Sequence, residues 1–552
     1  ILREWVESLP QDHEFRCFVN NGQMRAISQY HCYTVFPVLQ DLAHLERVRE
    51  AIISFHDSIK NRISLPSYVI DIVVFPDFTC QVIELNPFGA YQSSGSALFH
   101  WEKDMELLYN SSVPVLRVLK SLAKPQQATS SSVTRPELLY TLPLPCTSDR
   151  WHIISAALSQ PIPDPSALDE VIGRVGWEVP LARQKPFFQQ FFSNADVTTD
   201  CIANFFTRTM PFMQSMALRM PDLFKDSLPL LLPKGPVNNV ELSSNQVVCL
   251  MCHAFFCTLF SPSEFIHQTT ASFAGLSFSL LYNTQLPSSI VQSLLLYFHR
   301  LASTGINTAT NLSIHRSQFS LESQFPSWES LSFPLCPVTL LDVAPDDDEQ
   351  HDHGRVHVDC STPELFKTLF TGTMSSSLEM TPLSFPDSLI ARLLCSDLGP
   401  TDAILITGLG NNSVILMDPA NFAGKYLLQF EKQHILRDLN KVYCGFHLVS
   451  SILPSSPPIR TSHWGCSSNG GERQLKFLIQ LVAASSLCGK LQLEYICSGA
   501  PASFKQTTSN LLLYLNQKHA TVGQLFTLML NYNQTPPGAF KSMYEFIMKN
   551  LS

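Results

Sequence analysis

Over the first hundred positions apolar residues alternate with polar ones in short runs. "EFRCFV" (14–19) and "QMRAISQY" (23–30) have the period of two expected of half-buried strands, and Asn20-Asn21-Gly22 between them predicts a hairpin turn. The spacing changes to a helical repeat over 42–59. Two further strands are predicted at "YVIDIVVF" (68–75) and "CQVIELNPFG" (80–89), joined through Pro76-Asp77. A polar, Ser-rich stretch bounded by prolines, "KPQQATSSSVTRP" (124–136), carries too little apolar surface to order itself and reads as a linker.

From 136 to about 318 the pattern is mainly helical. Examples are "SSNQVVCLMCHAFFCTLF" (243–260), with Ser243 and Ser244 as candidate N-caps, and "SSIVQSLLLYFHRLAS" (288–303). Beyond 337 strands and helices alternate. "CPVTLLDV", "GRVHVDC", "DAILITGL" and "NSVILMD" have strand character; "PDSLIARLL", "FAGKYLLQFEKQHILRDLNKVY" and "ERQLKFLIQLVAASSL" have helical character. The expected organisation is a small block over 1–110, a linker over 111–135, a helical region over 136–336 and an α/β layered domain over 337–552.

With 45% apolar residues in 552, the chain can bury more than one core. Its net charge of −9 argues against a general nucleic-acid or anionic-membrane binder. A local anion site made from backbone N–H groups stays open. The 15 cysteines follow no regular spacing, and no apolar run approaches the ~18 residues that span a bilayer. Reduced thiols, a cytoplasmic or nuclear location and no membrane segment are the expectation. The chain opens at Ile1 directly into dense sequence, as a fragment would.

Several stretches, in order, carry a resemblance: "LSSNQVVCLMCHAFFCTL" (242–259), "SLLLYFHRL" (293–301), "FPSWES" (325–330), "LNKVYCGF" (439–446) and "HWGCSSNGGERQLKFLIQLVAA" (463–484). Over about 136–552 the chain resembles the poly(ADP-ribose) glycohydrolase family. That resemblance implies a helical accessory region followed by a macrodomain that holds ADP-ribose without a cofactor. The implied ligand residues are Gly372, Trp464, Gly465, Cys466, Gly470 and Gly471, and the implied partners are ADP-ribose or poly(ADP-ribose)-modified proteins. The residues of the loop agree with this, because glycines permit close backbone approach and the loop opens a helix whose N-terminus can face a pyrophosphate. A Gly-rich turn that only connects strand to helix has the same local pattern. Against the family, His463 stands for Asn, Ser467 for Gly, Asn469 for Phe and Glu472 for Asp.

The family's catalytic signature is a Gly-Gly-Gly run followed by Gln-Glu-Glu, whose last glutamate is the general acid on the leaving ribosyl oxygen. Anchored on "PDSLIARLL" (386–394), Ser377-Leu378-Glu379 falls on Gln-Glu-Glu, and Lys367-Thr368-Leu369 falls on the triple glycine. Glu379 therefore keeps the catalytic position, while Leu378 cannot bond a ribose hydroxyl. Thr362 or a neighbour stands where the family has an upstream Asn. The family's long Tyr-rich loop is reduced to "LGNN" (409–412), and Ile496 and Cys497 replace its later aromatic. The expectation is ADP-ribose recognition with hydrolysis weak or lost, the balance leaning to an inactive protein.

Residues 1–110 resemble the second half of the cell division cycle protein 123 family, an ATP-grasp-like group that assists assembly of translation initiation factor two. "REWVES…EFRCFV", "AISQ", "VIELNPFG" and "ALFHWEKD" carry the likeness. It implies a partial α+β block and a Mg–ATP site at Asp71, Glu84 and Asn86, with Arg16 facing phosphate. Glu84 stands where the family has Asp. The alternative function is an interaction scaffold acting through this block. Two weaker patterns have bland readings: "DDDEQHDHGRVHVD" (346–359) as a solvated turn, and Cys249-x-x-Cys252 as buried thiols inside a helix. No metal site and no sequence-specific nucleic-acid contact are assigned.

Overall fold

The computed structural model describes residues 11–30, 36–88, 97–99, 104–119, 141–176, 187–194, 199–232, 238–260, 272–282, 287–317, 319, 325–342, 354–372, 381–453, 457–536 and 538–551. The chain forms two compact units, Ile1–Arg135 and Pro136–Ser552. Glu379, the core of the acidic and histidine-rich stretch (346–353) and the Ser-rich stretch lie outside the described residues. Among the described residues no helix is long and apolar enough to cross a membrane.

In the first unit, strands β1 (Glu14–Asn20) and β2 (Gln23–Gln29) form a hairpin whose Asn21 and Gly22 both take positive φ, 53° and 71°, as the tight turn requires. With β3 (Tyr68–Val74), β4 (Cys80–Pro87) and β5 (Val115–Arg117) they build one sheet in the order β4-β3-β1-β2-β5. β5 falls inside the stretch expected to be linker: its short apolar run pairs in parallel with β2. Alternation divides the side chains of β1. Phe15, Cys17 and Val19 face the helix Leu42–Ile59 through Leu45, Val48 and Ile52, while Phe18 packs on the opposite face with Val69, Phe99 and Leu108. Asp41 caps that helix by accepting from the amides of Ala43 and His44.

In the second unit a minor pair, β6 (Thr141–Leu142) with β7 (Leu228–Pro229), accompanies an eight-stranded sheet. Its strands are β8 (Asn239–Leu242), β9 (Leu312–Arg316), β10 (Val338–Leu341), β11 (Val356–Cys360), β12 (Ile404–Leu409), β13 (Asn412–Met417), β14 (Ile459–Thr461) and β15 (Leu493–Ile496). They are ordered β10-β15-β14-β11-β13-β12-β9-β8, parallel from β10 to β13 and antiparallel beyond. β8 and β9 are two strands within the stretch expected to be mainly helical. Leu312, Ile314 and Arg316 alternate with half-exposed neighbours, so the region supplies two strands to the same sheet.

The sheet separates two cores. Ile404, Ile406, Val414 and Leu416 face the helical side, which includes the helices Ser244–Phe255 and Ser288–Thr304. Leu405, Ile415 and Met417 face the helices Lys432–Ile452 and Arg473–Ser485. Ser243 caps its helix in a reciprocal box with Gln246, and Cys249 and Cys252 are fully buried within that helix. The helix expected from 422 begins only at Lys432: Gly424 turns at φ 74°, and Tyr426–Phe430 forms a separate 3-10 turn.

Candidate functional site: the crevice at the ends of β11 and β14

The chain leaves β11 toward the first core, through the helix Ile390–Leu394, and leaves β14 toward the second, through the helix Arg473–Ser485. The adjacent strands β11 and β14 therefore send their C-terminal loops to opposite faces. Such a reversal opens a crevice at the carboxyl ends of parallel strands, the usual ligand position in open α/β sheets. The β11 loop begins at Ser361, whose amide donates to Met417 O at 3.1 Å and whose buried hydroxyl has no hydrogen-bond partner. The β14 loop is the glycine-rich segment Ser462 to Glu472.

Close packing explains the glycines of that loop. Gly465 has φ 74°, and a Cβ there would stand 2.5 Å from Pro419 Cβ. A Cβ on Gly471 would stand 2.5 Å from Gly465 O. Gly470, at φ 68°, faces the Phe422–Ala423 backbone, and the Phe422 amide donates to Asn469 O at 2.7 Å. The amides of Cys466, Gly470 and Gly471 close the loop on itself, whereas those of Ser467, Ser468 and Asn469 have no protein acceptor among the described residues. Glu472 caps the following helix through the Leu475 amide at 2.7 Å, and its own amide donates to Gln429 Oε1 at 2.6 Å. Burial raises the Glu472 carboxyl above its ordinary value, against the pull of the Leu475 and Gln474 amides.

The other expected ligand residues fall into place differently. Trp464 is fully buried and its indole N–H donates to Met417 O at 3.1 Å, so its ring anchors the loop from behind and offers no face to a ligand. Burial pushes the Cys466 thiol up to about 12, which leaves it un-ionised. His463 shares hydrogen bonds with the Tyr495 hydroxyl (3.1 Å) and Cys497 O (3.4 Å), and burial lowers its pKa. Gly372 ends a short helix, Lys367–Thr371, in the left-handed region at φ 69°. That helix occupies the stretch aligned with the triple glycine. Leu369 and Phe370 are buried in the helical core, Arg392 stacks on Phe370 at 4.5 Å, and Glu364 accepts from Arg392 at 2.8 Å. A second absence is equally local: β12 and β13 pair through to Leu409 and Asn412, leaving only Gly410 and Asn411 as the connection.

Sequence reasoning missed the charges behind the loop. Asp438 accepts from the Ala420 amide at 3.0 Å and pairs with Arg437 at 2.8 Å and with Lys476. Burial opposes its charge, but Lys476 and Arg437 outweigh it and hold the carboxyl below its ordinary value. The available signal was a pair of charged residues, Asp438 and Lys441, on the apolar side of a helix with Ile435, Leu439 and Val442.

In the first unit the four expected residues converge on neighbouring strands. Arg16 opposes Asp71 across β1 and β3, and Asp71 opposes Glu84 across β3 and β4. Arg16 grips Asp71 at both oxygens, Nε–Oδ1 2.9 Å and Nη2–Oδ2 2.7 Å. The Asn86 amide donates to Glu84 at 2.9 Å and to Asp71 at 3.3 Å. Burial raises the Asp71 carboxyl despite Arg16. The oxygens suit a hard cation, but Arg16 engages both oxygens of Asp71, so a metal must displace that guanidinium.

Residues 198–316 match the family described as poly (ADP-ribose) glycohydrolase (PARG), helical domain, and residues 409–504 match its macro domain fold. Residues 1–142 match D123. The chain thus matches poly(ADP-ribose) glycohydrolase models over two stretches of its second unit and the D123 model over its N-terminal stretch. Over 103 residues it is 30% identical to poly(ADP-ribose) glycohydrolase 1 of Caenorhabditis elegans, covering 19% of this chain and 13% of that protein. It is 34% identical over 104 residues to the translation initiation factor eIF2 assembly protein of Dictyostelium discoideum, covering 19% of this chain and 26% of that protein. A putative CDC123-like protein of Acanthamoeba polyphaga mimivirus is 31% identical over 121 residues, with 20% and 36% covered. The chain thus spans little more than a third, or less, of the curated relatives it matches. The structure of Cdc123 from Schizosaccharomyces pombe aligns at 21% identity and a TM-score of 0.19, covering 22% of this chain and 45% of that one. The glycine loop and the helix Arg473–Ser485 both lie within the macro domain match, and the strands bearing Arg16, Asp71, Glu84 and Asn86 lie within the D123 match.

Proposed function

We propose that the second unit recognises ADP-ribose, free or as poly(ADP-ribose) on modified proteins, with hydrolysis of the ribose–ribose bond weak or lost. The observation that carries this reading is the glycine loop at the β11/β14 crevice. Its backbone is pressed too close to its supports for side chains, and the amides of Ser467, Ser468 and Asn469, which have no protein acceptor among the described residues, are donors that a diphosphate can take. Weak hydrolysis follows from what replaces the rest of the family's site. A packed helical turn with buried Leu369 and Phe370 cannot wrap a phosphate, and the two-residue turn after β12 has no room for a tyrosine cover. Displacing a reacting group by about 1 Å costs on the order of 100-fold in rate.

Calorimetric titration of ADP-ribose into the full chain tests binding. A poly(ADP-ribose) cleavage assay on the wild type and on Glu379→Gln tests chemistry. The expected result is binding with little or no cleavage. Robust cleavage that disappears in Glu379→Gln would refute the loss of activity, and no binding at millimolar ligand would refute the whole reading.

The converging cluster in the first unit favours a second reading, in which that unit contributes to translation initiation factor two assembly. Asp71, Glu84 and Asn86 would hold Mg²⁺ and Arg16 would face the nucleotide phosphates. The metal would supply charge neutralisation at the phosphates, and this chain's part is to present the oxygens on two neighbouring strands, β3 and β4. Equilibrium dialysis of ATP with and without Mg²⁺, against wild type and Asp71→Asn, checks it: equal retention by both proteins rejects the site.

A further inference from the structure

Seven charged side chains in the second unit form one continuous run of ion pairs. Arg316 holds Asp402 (2.7 Å), Lys441 lies between Asp402 (3.4 Å) and Asp418 (2.6 Å), Arg437 joins Asp418 to Asp438 (2.8 Å), and Asp438 ends on Lys476. The run contains four cations and three carboxylates, so one positive charge is left without a carboxylate of its own. Six of the seven side chains are almost completely buried, and Arg437 is three-quarters buried.

The cations differ in how their donors are met. Arg316 also donates to the carbonyls of Leu231, Ser396 and Asp397, and Lys441 to those of Gly399 and Asp402. Lys476 has three N–H donors, and its one oxygen partner among the described residues is Asp438. The faces of Trp464 and Phe422 cover the rest of the ammonium at 4.9 and 5.2 Å. Its position is equally particular. A Cβ at Gly465 would stand 3.5 Å from its Nζ, and one at Gly471 would stand 2.8 Å from its Cε. The ammonium therefore sits directly beneath the glycine loop, on the protein side of its backbone.

We infer that Lys476 is the positioning residue that makes this loop an anion site. It touches no ligand. Its charge acts through the loop backbone from a buried position, where the effective dielectric is far below that of water and a charge is felt over several ångströms. Asp438 tempers that charge and, through the Ala420 amide, fixes the segment on which Gly465 rests. The inference depends on the reading that the loop receives a diphosphate, and it explains how a loop altered at positions 463, 467, 469 and 472 can still do so: the attraction comes from beneath and not from the altered side chains.

The two charges make opposite predictions, which a purely structural role does not. Inorganic pyrophosphate and ADP-ribose are titrated calorimetrically into the full chain as wild type, Lys476→Met, Lys476→Arg and Asp438→Asn, with the fold of each checked by circular dichroism. Lys476→Met is expected to weaken pyrophosphate about tenfold, equivalent to about 1.4 kcal/mol, and Lys476→Arg to restore most of it. Asp438→Asn removes a negative charge from the same spot and is expected to tighten pyrophosphate by about threefold. If Lys476→Met does not fold, the sign of the Asp438→Asn change decides. Weaker binding in Asp438→Asn, unchanged binding in folded Lys476→Met, or no pyrophosphate binding by the wild type each overturns the inference. If pyrophosphate responds as expected while ADP-ribose binds no more tightly than pyrophosphate, the anion site stands and the ADP-ribose reading fails.

Discussion

Lys441→Met is a severe test of the buried ion-pair run, because methionine keeps the unbranched stem of the side chain and removes its terminal ammonium with its charge and donors. Lys441 is completely buried, pairs with Asp418 at 2.6 Å and Asp402 at 3.4 Å, and donates to the carbonyls of Gly399 and Asp402. In the variant Asp402 keeps Arg316 and Asp418 keeps Arg437, so neither carboxylate is wholly abandoned. Three cations then face three carboxylates, but Asp418 Oδ1 and two carbonyls lose their partner. Breaking a buried pair from one side costs about 3–5 kcal/mol, and a newly unsatisfied buried acceptor about 1–3 kcal/mol. With one cation still bound to each acid, the lower end of the first range, about 3 kcal/mol, applies, and with about 1 kcal/mol for the unsatisfied acceptors a loss of about 4 kcal/mol is expected. That is a large fraction of the ~5–15 kcal/mol typical of a folded domain. Equilibrium urea unfolding followed by tryptophan fluorescence measures it. Two comparisons make the result interpretable. Lys432→Met breaks the exposed pair with Glu329 and is expected to cost less than about 1 kcal/mol. Adding Asp418→Asn to Lys441→Met removes the carboxylate left with one of its two cations and is expected to recover part of the loss, a coupling a double-mutant cycle resolves. A cost for Lys441→Met no larger than that for Lys432→Met would refute the claim that the run is energetically continuous.

Three further outcomes follow from the geometry. Gly408→Ala should destabilise the second unit by about 3 kcal/mol or more, because its φ is 84° and the new Cβ would stand 1.9 Å from Asn311 O; Gly410→Ala, at φ 63° with no neighbour within 4 Å, should cost only about 1–2 kcal/mol, and thermal melts compare the two. Asp438 is held below the ordinary carboxylate range, so its contribution is complete above the unfolded value near 4 and disappears as pH falls through the lower folded value. The stability gap between wild type and Asp438→Asn should therefore be widest at pH 7 and close on acidification, and urea midpoints showing a constant gap down to pH 3 would contradict the assignment. Cys466 is raised to about 12 by burial, so wild type should react with iodoacetamide at exposed Cys488 well before Cys466, as peptide mass mapping would reveal.

Much of the architecture was legible because period and turn chemistry act locally. Asn21-Gly22 placed the first hairpin, Ser243-Ser244 placed a helix start, and the strands β10 to β13 were visible as apolar runs. What escaped was settled by tertiary partners. The four- and five-residue strands β8 and β9 are too short for their alternation to stand out in a helical stretch, and they become strands because β12 offers an edge. The start at Lys432 was hidden because Tyr426 to Phe430 has helical composition, and only the backbone of Gly424 ends the pattern. In the site, glycine spacing marked the loop, while Trp464 read as a ligand residue because its neighbours were; its full burial comes from the second core that closes around it, which the sequence does not reveal.

The same distinction accounts for how this crevice can change at its surface and keep its form. The loop's shape rests on contacts behind it: Pro419 under Gly465, Gly465 O under Gly471, Met417 O on the Trp464 indole, and Gln429 on the Glu472 amide. None of these involves the side chains at positions 463, 467 or 469, where the loop departs from the resembling family, and at 472 a glutamate still serves as a helix cap. The opposite wall has no such foundation. Once 367–369 carry side chains, Leu369 gains more by entering the helical core than by leaving backbone exposed to a ligand, and a helical turn replaces the wrap. Binding determinants that lie in the scaffold thus outlast those that lie only in the loop facing the ligand. On this argument the capacity to hold a diphosphate and the capacity to cleave a glycosidic bond are physically separable in this chain, since the first depends on the side of the crevice that is buttressed and the second on the side that is not.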